Sequence, residues 1–169
     1  MKKVIIAAVN QNLTKAIQLL DSITDKHYTD VSVGPYYSSI GSHIRHSLDF
    51  FNCVINGLDT NNIDLTKRTR DEALSKDRIA AKNHIYALQQ TLVSYQSVST
   101  NYLVHVTDDL GQGNVQVNYT LESILAHANS HALHHFAIIG YILHQLEVCI
   151  EIPGFGYNPT TPEQKRKGI

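Results

Sequence analysis

The chain has 169 residues, of which 43% are hydrophobic and 17% are charged, so its composition excludes a disordered or fibrous protein and allows one domain with a continuous core. Lys+Arg is 14 against Asp+Glu 15, a formal net charge of −1, which excludes a global field that attracts nucleic acid or acidic membranes. No stretch reaches the roughly 18 to 20 apolar residues that span a bilayer. We therefore expect one domain over residues 1–169, with neither nucleic acid nor a membrane as a partner.

The N-terminal segment and the cysteines favour a cytoplasmic protein. The first apolar run, over residues 4–9, resembles the start of a signal peptide but stops at Asn10-Gln11-Asn12. The two cysteines, Cys53 and Cys149, have neither metal-ligand spacing nor a partner pattern. We therefore expect two free, buried thiols in a reducing compartment.

Helical periodicity begins with two segments in the first third of the chain. The segments at about 5–25 and 38–58 place apolar residues at spacings of three and four, as one buried helical face requires. Gly34-Pro35 breaks the chain between them, and Ser38 or Ser39 can cap the second helix. A long polar loop is predicted over residues 59–76, before a third helix at about 77–98.

A basic cluster lies in that polar loop. Lys67, Arg68 and Arg70 have Asp64 and Asp71 on their flanks. The cluster predicts a solvated loop, and the alternative is a phosphate-binding patch.

Residues 102–119 predict a small β-hairpin, because two runs of alternating, β-branched residues flank a Gly/Asp turn. In the first run, Leu103 and His105 alternate with Val104 and Val106, so one face needs cover. Since a two-stranded hairpin is only marginally stable alone, we expect it to lean on the helices or on a second subunit, and we predict a homodimer.

The fourth and longest helix is predicted at about 120–148, with Thr120 as its N-cap and an irregular tail over 150–169. Together the elements predict an all-α protein. Its expected architecture is an antiparallel four-helix bundle with long crossover connections and a small β-hairpin between the third and fourth helices.

The fourth helix carries the strongest functional signal. His131 and His135 fall within its apolar stripe, whereas His127 and His134 fall toward the edge of that stripe. Residues four apart stack on one helical face, so these two imidazoles can reach one ion. A polar ring in a hydrophobic seam costs free energy unless its nitrogens have partners, and a metal ion supplies one. The alternative is a structural histidine that bonds a backbone carbonyl.

A third ligand can come from the second helix, which offers His43 and His46. On a helical wheel His43 lies about 60° from the centre of the apolar stripe and His46 about 120°, so periodicity prefers His43 and leaves the choice open. Three neutral imidazoles with one open position form a familiar divalent-metal site.

Two segments resemble a known family. Residues 39–49, Ser-Ile-Gly-Ser-His-Ile-Arg-His-Ser-Leu-Asp, resemble the second-helix motif of the DinB/YfiT-like metal-binding four-helix-bundle proteins. In that motif a Ser or Thr precedes the ligating His by seven residues, and an acidic residue often follows it by three. Residues 125–135 resemble the last-helix motif, in which His-x-x-x-His gives two ligands. The resemblance implies a triad of metal-ligating histidines: His46, His131 and His135.

The resemblance also implies two chemistries on a small-molecule substrate. One is thiol-dependent transfer or isomerisation with a low-molecular-weight thiol as cofactor, and the other is metal-assisted hydrolysis. Both need an open position on the metal, where the pKa of a bound thiol or water falls. Zinc suits three imidazoles, and nickel, iron(II) and manganese are compatible. The candidates for a general base are Asp49, His43 and His134, and Asp49 alternatively supports a ligand or is exposed.

The alternative function is not catalytic. The chain is then a stress-response or damage-response protein in which the metal only clamps the second and fourth helices together. His127, one turn before His131, could close the fourth coordination position in that case.

Overall fold

The computed structural model describes residues 1–97 and 103–162, and this part of the chain is mostly helical. Within it there are six α-helices: α1 (Lys2–Ser22), α2 (Asp25–Thr29), α3 (Ile40–Leu58), α4 (Ala73–Lys76), α5 (Arg78–Ser94) and α6 (Leu121–Gln145). A 3-10 turn, Tyr95–Ser97, follows α5. Three strands form one sheet: β1 (Asn62–Asp64), β2 (Leu103–Asp109) and β3 (Asn114–Thr120). None of these helices is long and apolar enough to cross a membrane.

The four long helices correspond to the four predicted ones, but three end earlier than predicted. The third, α5, ends at Ser94 and is followed by the 3-10 turn Tyr95–Ser97. The first ends at Ser22 rather than at about 25, because Thr24 begins a separate short helix by accepting a hydrogen bond from the N–H of His27 at 3.2 Å. The last ends at Gln145 rather than at about 148, and Glu147 then adopts a φ of 56°. Residue 98, the predicted end of the third helix, lies outside the described residues.

The N-termini of α3 and α6 are capped by the residue types that the sequence indicated. The hydroxyl of Ser39 accepts a hydrogen bond from the N–H of Ser42 at 3.0 Å. Thr120 and Ser123 form a capping box, with side chain and backbone of each serving the other. These caps fix where each helix begins, and therefore which face each helix presents.

The core lies between the four long helices. The helix α1 packs against α5 and α6, α3 packs against α6 and α5, and the most extensive helix contact is between α3 and α6. The apolar faces predicted from periodicity meet there and are excluded from solvent. Side chains with no more than 1% exposure occur on all four helices: Ile6, Leu20, Ile44, Phe51, Ile85 and Ile139.

The chain is mostly helical as predicted, but its sheet has one strand more than the predicted hairpin. The predicted loop over 59–76 contains β1 and α4, and β1 pairs in parallel with β2, with Ile63 opposite Val106. β2 pairs with β3 in antiparallel register, as the hairpin prediction requires. The predicted hairpin began at Tyr102, which lies outside the described residues. A three-residue strand has too little pattern of its own to be recognised in a polar loop.

One face of the sheet is covered by the helices. Ile63, Val104 and Val106 are each at most 2% exposed, whereas Leu103 is 54% exposed on the opposite face. The helices of the same chain therefore cover this face over β1 and β2, whereas Val117 of β3, which lies opposite Val106 on the same face, is 45% exposed.

Gly57, on the last turn of α3, allows β1 to approach the helix. A Cβ atom at this position would lie 2.4 Å from the carbonyl oxygen of Asn62 and 2.7 Å from the Cα of Ile63. Both are backbone atoms, so neither can move aside as a flexible side chain can. We expect Gly57→Ala to lower the free energy of unfolding by about 1–3 kcal/mol, measured by urea denaturation.

The matched control for this prediction is Asn56→Ala, since Asn56 is exposed on the same turn of α3. The control should change stability little. If the Gly57→Ala variant were as stable as the parent, β1 could not lie as close to α3 as described.

Candidate metal centre

Three histidines meet at the contact between α3 and α6. His46 comes from α3, and His131 and His135 come from successive turns of α6. Each offers one ring nitrogen, and these three atoms lie within 4.8 Å of one another. The ring centroids are 4.6 to 5.0 Å apart. We call these residues the histidine triad. The structure therefore brings together the three residues that the family resemblance implied as ligands.

The nitrogens of the two α6 histidines are spaced for a shared ion. The Nε2 atoms of His131 and His135 are 3.2 Å apart. Imidazole nitrogens that share a tetrahedral ion at about 2.0–2.1 Å lie about 3.3–3.4 Å from each other. The observed spacing suits either one proton between the two nitrogens or one metal ion beside both.

His43 binds the other nitrogen of His135. The Nδ1 atoms of the two rings are 2.9 Å apart, and the Nε2 of His43 is 2.8 Å from the hydroxyl oxygen of Ser38. Only one proton arrangement leaves a lone pair on the Nε2 of His135: its Nδ1–H donates to His43, whose Nε2–H donates to Ser38. Such outer partners fix the tautomer and orientation of ligating histidines.

Burial keeps the triad neutral. Desolvation, aided by the neighbouring histidines, lowers the pKa of His135 to about 3 and that of His131 to about 4. Burial is also the main cause that lowers the pKa of His46, with Arg68 next. Neutral imidazoles are the form that binds metal, so the site is ready for an ion at neutral pH without having to release protons.

Arg68 lies at the triad, although the sequence predicts that the basic cluster to which it belongs is a solvated loop. Its Nη1 lies 3.1 Å from Nδ1 and 3.3 Å from Nε2 of His46. Its Nε donates to the carbonyl oxygen of Leu65 at 3.0 Å, which fixes the base of the guanidinium. A single arginine in a polar loop carries no signal that would have predicted this contact.

The remaining candidates have other roles. The ring of His127 packs at 5.0 Å from that of Phe50 and stacks on Tyr119, so within the described residues His127 does not join the triad. His134 is exposed and contacts His135 by its ring edge, at 5.2 Å. Ser39 caps α3 and makes no contact with the triad among its described hydrogen bonds.

Asp49 is buried rather than exposed, with 1% of its surface accessible. Its carboxylate accepts a hydrogen bond from the backbone N–H of Arg70 at 3.2 Å, so it fixes the loop that carries Arg68. Burial raises the pKa of this carboxyl group, and the hydrogen bond from Arg70 opposes the rise.

The prediction of two buried thiols is half wrong. Cys53 is buried and lies 3.7 Å from the carbonyl oxygen of Lys67, whereas Cys149 is exposed in the irregular segment after α6. Neither belongs to the histidine triad.

The metal-free protein should lose stability as the pH falls. In the folded chain the pKa values of His131 and His135 are about 4 and about 3, whereas an unfolded histidine has a pKa of about 6.5. Between these values the unfolded chain binds more protons, so the free energy of unfolding decreases as the pH falls from about 6.5 toward 4. Urea denaturation in EDTA at about pH 7.5 and pH 5 measures this decrease.

The control is a double variant, His131→Gln with His135→Gln, which removes the two titrating rings. Its free energy of unfolding should change less between the two pH values than that of the parent. An equal change in both proteins would mean that other groups cause the acid sensitivity.

Comparisons with known proteins returned no matching family model, no matching curated protein and no matching solved structure. The geometry of the triad and its surroundings is therefore the basis for assigning a function.

Proposed function

We propose that this chain is a divalent-metal-binding protein of the DinB/YfiT-like kind, an antiparallel four-helix bundle in which His46, His131 and His135 bind one ion. The observation that carries the proposal is the convergence of three ring nitrogens within 4.8 Å on a largely buried helix contact. Among the described residues, no further His, Cys, Asp or Glu joins this group. Three imidazoles with one position left open are typical of catalytic zinc sites, whereas structural sites are closed by a fourth protein ligand.

The open position supports an enzyme acting on a small molecule. A bound dipositive ion lowers the pKa of a coordinated thiol or water, which supplies a nucleophile at neutral pH. The reaction classes that follow are transfer of a low-molecular-weight thiol and hydrolysis. Zinc is the first choice of metal, with nickel, iron(II) and manganese as compatible alternatives. Ser38 and His43 would hold the ring of His135 in the tautomer that binds this ion.

The second candidate is a non-catalytic clamp, in a protein of stress or damage response. It is favoured by one observation: the triad joins α3 to α6, the two helices with the most extensive contact in the structure. An ion there would stabilise the folded state by linkage even if its open position held only water.

We expect about one divalent ion per chain in protein purified without a polyhistidine tag. His131→Ala and His135→Ala should each abolish stoichiometric binding, because a two-imidazole site is left. His144→Ala, an exposed histidine on the same helix, is the matched control and should bind as the parent does. Metal analysis after dialysis measures the ratio. A double variant of His131 and His135 that retains one ion would refute the assignment.

The roles of the two α3 histidines are separable by affinity. His46→Ala should abolish binding, whereas His43→Ala should weaken it about 10- to 100-fold, because His43 acts through His135 rather than on the ion. Competition with a chromogenic chelator measures both values. A larger loss for His43→Ala than for His46→Ala would reverse their assignment.

Enzyme and clamp differ in the exchangeability of the open position. We expect the visible spectrum of the cobalt-substituted protein to change when cysteine is added, as a thiol replaces water on the ion. A tetrahedral spectrum that is indifferent to every added thiol would favour the clamp.

We also propose a homodimer formed through the outer edge of the sheet. β3 is the last strand in the order β1-β2-β3, and on it Val115 and Val117 are 39% and 45% exposed. An uncovered edge strand with apolar side chains is a template for pairing with another strand. Val117→Lys should shift the protein to monomer in sedimentation at micromolar concentration, whereas Val4→Lys, at an exposed site on α1, should not. A parent protein that is monomeric at that concentration would contradict the dimer.

A further inference from the structure

The surroundings of His46 carry an excess of positive charge. Arg68, Arg45 and Arg70 are the three charged groups that, after burial, lower the pKa of His46. Arg45 is neutralised by Glu72, whose Oε1 is 2.6 Å from its Nη1. Among the described residues, Arg68 has no carboxylate within ion-pair distance. The buried carboxylate of Asp49 interacts with Arg45, Arg68 and Arg70 at longer range, and it accepts a hydrogen bond from the backbone N–H of Arg70.

Arg68 and a metal ion would compete for the same atoms. The Nη1 of Arg68 lies within 3.3 Å of both nitrogens of the His46 ring. When one of these nitrogens binds a metal, the other carries a proton, so the ring has no lone pair left to accept from the guanidinium. The arginine then stands as a cation without a direct ion pair, a few ångströms from a dipositive ion, which is electrostatically unfavourable.

The loop prevents Arg68 from moving far away. Its Nε is bound to the carbonyl oxygen of Leu65, whose own N–H donates to Thr107 at 2.9 Å. The side chain of Leu65 is 1% exposed, so the residue is fixed in the core. Because the guanidinium is planar and rigid, the hydrogen bond at Nε also keeps its Nη1 beside the triad.

We propose that the open coordination position takes an anionic group, a carboxylate, that bridges the metal and Arg68. This inference rests on the proposed function, because it needs an ion on the triad. One carboxylate oxygen coordinates the ion and the other accepts from Nη1, which lies at most about 5.4 Å from an ion bound about 2.1 Å from His46. The ligand class is thereby narrowed to small molecules that carry a carboxylate. Arg68 is the residue that selects them. In an enzyme, the thiol or water nucleophile would bind beside this carboxylate on a five-coordinate ion.

The test uses cobalt-loaded, tag-free protein titrated with acetate and, as a neutral molecule of the same shape, acetamide. The visible spectrum of the cobalt ion reports occupation of the open position. We expect acetate to bind the parent protein at least tenfold more tightly than acetamide. Arg68→Gln should weaken acetate binding about tenfold or more, with Arg68→Lys between the two. Arg70→Gln removes an equal charge from the exposed neighbouring arginine and should change the affinity for acetate by less than about twofold.

A second measurement, the affinity for zinc, does not depend on the visible spectrum of cobalt. Because coupling between two ligands is reciprocal, a given concentration of acetate should increase the zinc affinity of the parent protein more than that of Arg68→Gln. Circular dichroism verifies that each variant is folded. Equal acetate affinities in the parent and in Arg68→Gln, while both still bind one cobalt ion, would overturn the role of Arg68 alone. A parent protein that binds no cobalt would overturn the metal site itself, and the inference with it.

Discussion

The site depends on one close approach, that of the Nε2 atoms of His131 and His135 at 3.2 Å. Two imidazole lone pairs at this distance repel each other unless a proton or a cation lies beside them. A neutral tautomer of His131 can place its single N–H between them. A second proton is costly, because burial lowers the pKa values of these histidines to about 4 and about 3. A metal ion satisfies both nitrogens at once without requiring either ring to become charged.

The surrounding elements hold the three histidines in place. The caps at Ser39 and Thr120 fix the ends of α3 and α6, so that His46 faces the two α6 rings. His43 occupies the far nitrogen of His135, and the ring of Phe50 packs 4.9 Å from that of His131. On the remaining side, Asp49 fixes the loop that presents Arg68. The histidine triad thus has an aromatic ring, an orienting histidine and an arginine as neighbours, and one nitrogen of each of its rings lies within 4.8 Å of the other two.

Much of the fold could be predicted, because apolar periodicity reports directly which helical face is buried. The same pattern identified His131 and His135, since two polar rings on an apolar stripe are conspicuous. It could not choose between His43 and His46. A helical wheel contains no information about which side of α3 packs against α6. In the structure both residues contact His135: His43 by a hydrogen bond between Nδ1 atoms, and His46 by the edge of its ring.

Features made by tertiary contacts could not be predicted. β1 is stabilised because Ile63 is buried opposite Val106. The pattern of three residues in a polar loop is too short to predict that pairing. The approach of Arg68 to His46 likewise depends on the path of the loop, which the buried Leu65 and Asp49 determine. The exposure of Cys149 also depends on the path of the irregular segment that follows α6.

The central claim is that three imidazoles bind one ion and leave a position open. X-ray absorption spectroscopy at the zinc edge of the zinc-loaded, tag-free protein tests it most directly. The account predicts three imidazole nitrogens at about 2.0–2.1 Å together with one oxygen from water or a small anion. A sulfur shell near about 2.3 Å, a fourth imidazole, or the absence of imidazole scattering would contradict it.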